Sequence, residues 1–150
     1  MKELYLFILA RLKAMVPELK EIDFDMGQLD VLDENQRPIV LFPCALLDIS
    51  FPSAEDESSL IQQVNAQVNV KLAFRVQYKT NSLAPASQQT SALSIFNIVD
   101  KSYKALQGYE DDSFGPLSRI QQSPDNNYPG IKIINLLFST DFEDITANGI

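Results

Sequence analysis

The sequence has no histidine, no tryptophan and a single cysteine among its 150 residues. Without histidine, a Ser-His-Asp triad, a Cys-His pair and a histidine-ligated zinc site are excluded within one chain. One cysteine also excludes an intramolecular disulfide framework. The five glycines form no GxGxxG or GxxxxGK pattern, so a phosphate-binding loop has no support. We therefore expect a protein that is not an enzyme and that needs no cofactor.

The apolar run Leu4–Ala10 near the N-terminus is far shorter than the roughly 20 residues that a transmembrane helix needs. Arg11 and Lys13 follow it at once, and no strongly basic start precedes it, so it does not fit a signal peptide. The run predicts a buried helix in a soluble protein that is intracellular where it is made and has no membrane partner.

Negative charge dominates the sequence, with a formal net charge of -8, so we expect no specific nucleic-acid partner. The charge is uneven: residues 61–109 hold five bases and one acid, whereas the rest holds seven bases and 19 acids. Such asymmetry steers one surface toward an acidic partner, including another copy of the same chain. A solvated sheet face is the alternative interpretation.

Two helices are predicted from apolar residues at helical spacing. The first covers residues 2–16 and ends at Pro17. The second carries Leu93–Leu106, with Ser87 or Thr90 as its N-cap and Gly108 as its left-handed end. Its predicted core face consists of Leu93, Phe96, Val99, Tyr103 and Leu106.

The clearest pattern is the stretch Val64–Tyr78, in which every second residue is apolar over 15 residues. This period predicts one long strand with its even-numbered face in the core and its odd-numbered face toward water. At about 3.3 Å per residue such a strand extends roughly 50 Å. Because typical strands have only about 5–6 residues, we expect part of it to project past the domain as an arm.

The remaining strands are weaker in pattern. Ile39–Ile49 predicts a strand buried on both faces, and Ile131–Phe142 predicts the last strand. Alternation at Ile22, Phe24 and Met26 indicates a short strand, whereas 50–59 is predicted as a solvated loop and 109–130 as irregular. The order of elements predicts a single α+β domain over residues 1–150, with a mostly antiparallel sheet and one long strand packed against two helices.

Carboxylates between residues 18 and 37 are the candidate metal ligands, because oxygen donors suit hard cations. They are Asp23, Asp25, Asp30, Asp33 and Glu34. Their spacing does not match an EF-hand loop, so an acidic surface loop is the favoured interpretation and no metal site is predicted. Cys44 lies in an apolar run with no histidine to activate it, which indicates a buried structural thiol.

Lys71, Arg75 and Lys79 recur every four residues on the polar face of the long strand, which places them on the same side. We predict that they form one half of a head-to-tail subunit interface, which joins two different patches. The other half is predicted from two acidic triplets on loops. These are Glu55, Asp56 and Glu57, and Glu110, Asp111 and Asp112.

The ordered set of elements resembles a known family. It includes the N-terminal helix, the strand opening Arg37-Pro38-Ile39-Val40-Leu41, the long Val64–Tyr78 strand and the Leu93–Leu106 helix, followed by Leu106-Gln107-Gly108, Pro116-Leu117-Ser118-Arg119 and the strand end Phe138-Ser139-Thr140-Asp141. Together they resemble the tail-terminator and tail-completion proteins of long-tailed phages and prophages.

The resemblance implies a tail-terminator-like α+β domain that acts by shape and surface contact. It implies a hexameric ring that caps the phage tail tube, with the tail-tube protein and the head–tail connector as partners. Its location would be the virion tail, and the host cytoplasm during assembly. The acidic region 18–34 would suit a surface facing the lumen or a loop surface.

Two other classes stay open. One is a small-ligand-binding or other interaction module of prophage origin. The other is a metal-dependent enzyme that uses the Asp23–Glu34 carboxylates.

Overall fold

A computed structural model describes residues 1–149 and shows one five-stranded sheet with helices. The elements are α1 Lys2–Met15, β1 Glu21–Phe24, β2 Cys44–Asp56, β3 Gln62–Arg75, α2 Ala86–Leu93, α3 Ile95–Leu106, β4 Ser118–Asp125 and β5 Ile131–Asp144. The strand order is β1-β2-β3-β5-β4. β1 runs parallel to β2, and the other neighbours are antiparallel. The fold is α+β with a mostly antiparallel sheet, as predicted.

The long central strand β3 confirms the predicted register. Its even-numbered side chains from Val64 to Phe74 are all at most 2% exposed, and those from Ala66 to Phe74 share the main core with α1 and α3. The strand ends at Arg75, however, and Val76 and Tyr78 are 51% and 48% exposed, so the prediction ran three residues too far. The reason is that β5 begins at Ile131, opposite Arg75, and leaves no partner strand beyond it.

The first helix is confirmed, with Leu4, Ile8 and Leu12 buried. The predicted second helix is two helices, α2 and α3, which meet at Ser94. Neither Ser87 nor Thr90 is the N-cap, because that position is Pro85 and the Thr90 hydroxyl instead donates to the Ala86 carbonyl.

Only the part of the predicted core face from Val99 onward lies in the core, with Tyr103 partly buried between Val99 and Leu106. Val99 and Leu106 are buried, whereas Leu93 and Phe96 are exposed. Gly108 has a φ of 75° after α3, as a left-handed helix end requires.

Two segments predicted as loops contain strands. β2 begins later than predicted, at Cys44, and continues through 50–56, with a bulge between Ser50 and Ser53 that accommodates Pro52. β4 lies within 109–130 and pairs only with β5. Both stretches are largely exposed, so their sequences do not alternate between apolar and polar residues. For this reason the sequence pattern did not predict them as strands.

The sheet has a core on each face. The main core lies under α1 and α3. A smaller one, formed by Leu29, Val40, Cys44, Leu46, Ala73 and Ile133, lies on the opposite face. This explains why the Cys44–Leu47 part of the predicted Ile39–Ile49 strand is buried on both faces, whereas Ile39 and Leu41, outside β2, are exposed. No helix within residues 1–149 has the length and apolar character to cross a membrane.

Candidate functional site

Three long strands, β2, β3 and β5, form a continuous ribbon. The pairing of β2 with β3 extends to Asp56 opposite Gln62, and the pairing of β3 with β5 extends to Gln62 opposite Asp144. Residues 52–60 are all exposed, and a turn closes where the Glu57 N–H donates to the Ile61 carbonyl. We call residues 53–63 and 143–145 the arm tip.

The arm tip is acidic. It carries Glu55, Asp56, Glu57, Glu143 and Asp144, and neither 50–66 nor 139–149 contains lysine or arginine. A hydrogen bond between the carboxyl groups of Glu57 and Glu143, together with their repulsion, raises the pKa of Glu57. Hydrogen bonds from Thr146 lower the pKa of Asp144, with a smaller contribution from the Met1 amino group. Two aliphatic side chains are exposed among these acids, Leu60 and Ile145.

The opposite end of the ribbon carries a basic groove around Arg75. One cavity of about 550 Å³ is lined by Arg75, Val76, Tyr78, Leu93 and Phe96, among others. A neighbouring cavity of about 460 Å³ shares Arg75, Gln77 and Ile95 with it. A third, smaller depression again includes Arg75. We call this set of depressions the basic groove.

Among residues 1–149, four cations line the basic groove and no carboxylate does. They are Lys20, Arg37, Arg75 and Lys132. Within residues 1–149 the salt bridges are Lys71–Asp25 and Lys101–Glu18, so none of the four has a carboxylate partner there. The Arg75 guanidinium lies 5.2 Å from the centre of the Phe42 ring, which holds it at the groove.

The predicted basic stripe is divided by the structure. Lys71 and Arg75 share one face of β3, but Lys71 is bound to Asp25 at 2.8 Å within the same chain. Lys79 lies beyond the end of β3, so its predicted place on the strand face is wrong. Of the three residues, Arg75 lines the groove.

The two acidic triplets also differ from each other. Glu55 and Asp56 belong to β2 and Glu57 to the turn, so this triplet is at the arm tip and not on an irregular loop. The triplet 110–112 lies in the loop between α3 and β4. There the Asp111 carboxylate accepts hydrogen bonds from the Ser113 and Phe114 N–H groups, which shapes the turn.

Lys20, Arg37 and Lys132 were missed by the sequence analysis. They come from three separate segments that meet only in the fold, so no spacing along the chain connects them. The only available signal was the local excess of bases, which pointed to Arg75.

Three of the five candidate metal ligands make other contacts beyond their immediate neighbours in the sequence. Asp25 pairs with Lys71, Asp30 accepts a hydrogen bond from the Tyr128 hydroxyl, and Asp33 accepts backbone N–H groups. In the part of the chain from 1 to 149, no three acidic or cysteine side chains converge as metal ligands would.

Cys44 is fully buried, and burial raises its pKa to about 12. It is therefore a thiol at neutral pH, in agreement with the predicted structural role.

No protein-family model and no curated protein matches the sequence. Among solved structures, the fold is similar to a chain in the structure titled "Virion of native gene transfer agent (GTA) particle". The similarity has a TM-score of 0.51 at 10% sequence identity and covers 94% of this chain and 95% of the other. At this identity it establishes a shared fold.

Proposed function

We propose that this protein is a structural component of a phage-like virion, in which it forms a ring that caps the tail tube and joins it to the head connector. The observation that carries the proposal is the fold. It matches a chain of a gene transfer agent virion over nearly the full length of both. A match of this extent pairs whole domains, since little of either chain lies outside it.

The order of sequence elements supports the tail-terminator assignment independently of the fold match. The N-terminal helix, the long central strand and the later helix ended by Gly108 are all present in the structure. In this proposal the protein works by shape and contact and is not an enzyme.

Ring formation is supported by the two unlike ends of the ribbon. An acidic arm tip and a basic groove on one chain suit a head-to-tail contact, in which each copy offers a different patch to each neighbour. Such contacts close into a ring when the rotation between copies closes.

Deletion of the gene in a strain that produces particles tests this proposal. We expect electron microscopy to show filled heads without joined tails, and tails with uncapped ends, because the joining surface is lost. Complementation with the wild-type gene is the control and should restore complete particles. Complete particles in the deletion strain, in normal number, would refute the proposal.

A small-ligand-binding role is the second candidate, and the cavities of the basic groove favour it. The basic lining would select an anionic ligand with an apolar body. A thermal-shift screen with such anions tests it. A melting shift that Arg75→Gln removes and Lys13→Gln preserves would favour this role, whereas no shift across the screen would discard it.

A further inference from the structure

We infer that the basic groove of one chain binds the arm tip of a second copy of the same chain. The inference concerns the contact between copies in the proposed ring. It rests on the proposed virion function only for where in the particle the copies assemble. It identifies the two patches that meet.

Charge is the first reason. The groove presents four cations without carboxylate partners in the described chain. The tip presents five acids, and its segments 50–66 and 139–149 contain no lysine or arginine. Opposite potentials of this kind speed association and select the partner. They also repel the wrong pairings, tip against tip and groove against groove.

Apolar complementarity is the second reason. Leu41, Val76 and Leu93 are exposed in the groove, and Leu60 and Ile145 are exposed on the tip. Cavities of about 460 and 550 Å³ have room for two aliphatic side chains. Contact between them would remove apolar surface from water on both copies, which stabilises the complex.

Topology is the third reason. β3 separates the two patches by its full length of 14 residues, which is roughly 45 Å at about 3.3 Å per residue. A chain therefore cannot fill its own groove with its own tip. Each copy instead has one free tip and one free groove, so association propagates from copy to copy until it closes.

Charge reversal in the full-length chain tests this contact. The groove variant carries Arg75→Glu and Lys132→Glu, and the tip variant carries Glu55→Lys, Asp56→Lys and Glu57→Lys. Lys13→Glu with Lys104→Glu is the control for the groove variant, because it reverses two exposed lysines, on α1 and α3, that line none of the groove cavities. Circular dichroism checks that each variant is folded, and native mass spectrometry at low salt measures assembly.

We expect the groove and tip variants to weaken association by about tenfold or more, and the control to leave it unchanged. A mixture of the two variants should assemble with the two chains alternating. The reversed tip of one variant matches the reversed groove of the other, and the wild-type tip of the groove variant matches the wild-type groove of the tip variant. All five reversals in one chain should therefore restore assembly. Assembly that is indifferent to both variants would overturn the inference.

Cysteine cross-linking covers the case in which wild-type chains associate too weakly for mass spectrometry. Chains with Ser58→Cys at the tip are mixed with chains with Gln77→Cys in the groove and oxidised at high concentration. Buried Cys44 does not compete, since it is fully enclosed. The control pairs Ser58→Cys chains with chains that carry Gln121→Cys on the exposed edge strand β4. We expect more cross-linked mixed dimer from the Ser58→Cys and Gln77→Cys mixture than from this control. No excess over this control would overturn the inference.

The two proposals can fail separately. A deletion defect in particles, together with no tip–groove cross-link, would reject the contact and keep the virion function. A specific cross-link, together with normal particles in the deletion strain, would reject the virion function and keep the contact.

Discussion

Lys71 Nζ lies 2.8 Å from Asp25 Oδ2, and this ion pair ties the outer face of β3 to the loop that follows β1. The two side chains are only 17% and 20% exposed. The contact anchors the start of the segment that covers the smaller core. It also engages Lys71 inside its own chain, so Lys71 is not free for a neighbouring copy.

Loss of this ion pair should destabilise the fold. Lys71→Met leaves the Asp25 carboxylate largely buried without its partner, which should cost about 1–3 kcal/mol of unfolding free energy. Urea unfolding at pH 7 measures it. The matched control is Lys101→Met, because Lys101 and Glu18 are 52% and 36% exposed, and such surface pairs contribute about 0–1 kcal/mol. Equal losses in the two variants would contradict a special role for Lys71.

The same pair should give stability a defined pH dependence. Burial opposes the charge of Asp25, but hydrogen bonds from Lys71 and the Gly27 N–H outweigh it and lower its pKa. Burial also opposes the charge of Lys71, yet contact with Asp25 raises its pKa. The Asp25 contribution is therefore present above its unfolded pKa of about 3.9 and is lost as pH falls through the lower folded value. The Lys71 contribution is present below about 10.4 and is lost as pH rises through the higher folded value.

We expect the stability difference between wild type and the double variant Asp25→Asn, Lys71→Met to be nearly constant between about pH 5 and 9. It should shrink in acid below about pH 4. Urea unfolding across this range measures the difference. A difference that grows in acid would contradict the assignment.

The end of the long strand is testable with two identical substitutions. Val70 is fully buried and Val76 is half exposed, although one uninterrupted alternation places both on the core face. Val70→Ala should cost about 2 kcal/mol, from two buried methyl groups and the cavity they leave. Val76→Ala should cost less than about 0.5 kcal/mol, as an exposed change. Similar costs, measured by urea unfolding, would mean that β3 continues past Arg75.

Cys44 should be protected from modification while the chain is folded. It is fully buried and its pKa is raised to about 12, so both access and thiolate content are low. We expect Ellman's reagent at pH 8 to detect almost no thiol in native protein and one per chain in urea. Rapid labelling of the native protein would contradict its buried position.

The parts of the fold that face the main core were the predictable ones. The segment 65–74 of β3 alternates because Ala66 to Phe74 on one face pack under α1 and α3, while the other face carries Asn65 and Asn69. The strand segments 50–56 and 118–125 were missed because backbone pairing to β3 and β5 holds them, with little demand on side chains.

The interaction site was only partly predictable for a related reason. Arg75 and the 55–57 triplet stood out by charge, but their positions at opposite ends of one ribbon depend on a strand that the sequence pattern did not show. The pairing of Lys71 with Asp25 was missed because the two residues are 46 positions apart. Pairings over such separations are set by the fold and leave no local spacing.

Quantitative mass spectrometry of purified particles measures whether this protein is part of a virion. Particles from the producing strain are separated from free protein on a density gradient, and this chain is counted against the tail-tube protein. We predict that it co-sediments with complete particles at a fixed low copy number, as a single ring requires, and that the tail-tube protein greatly exceeds it. Its absence from purified particles, when it is abundant in the lysate, would contradict the account.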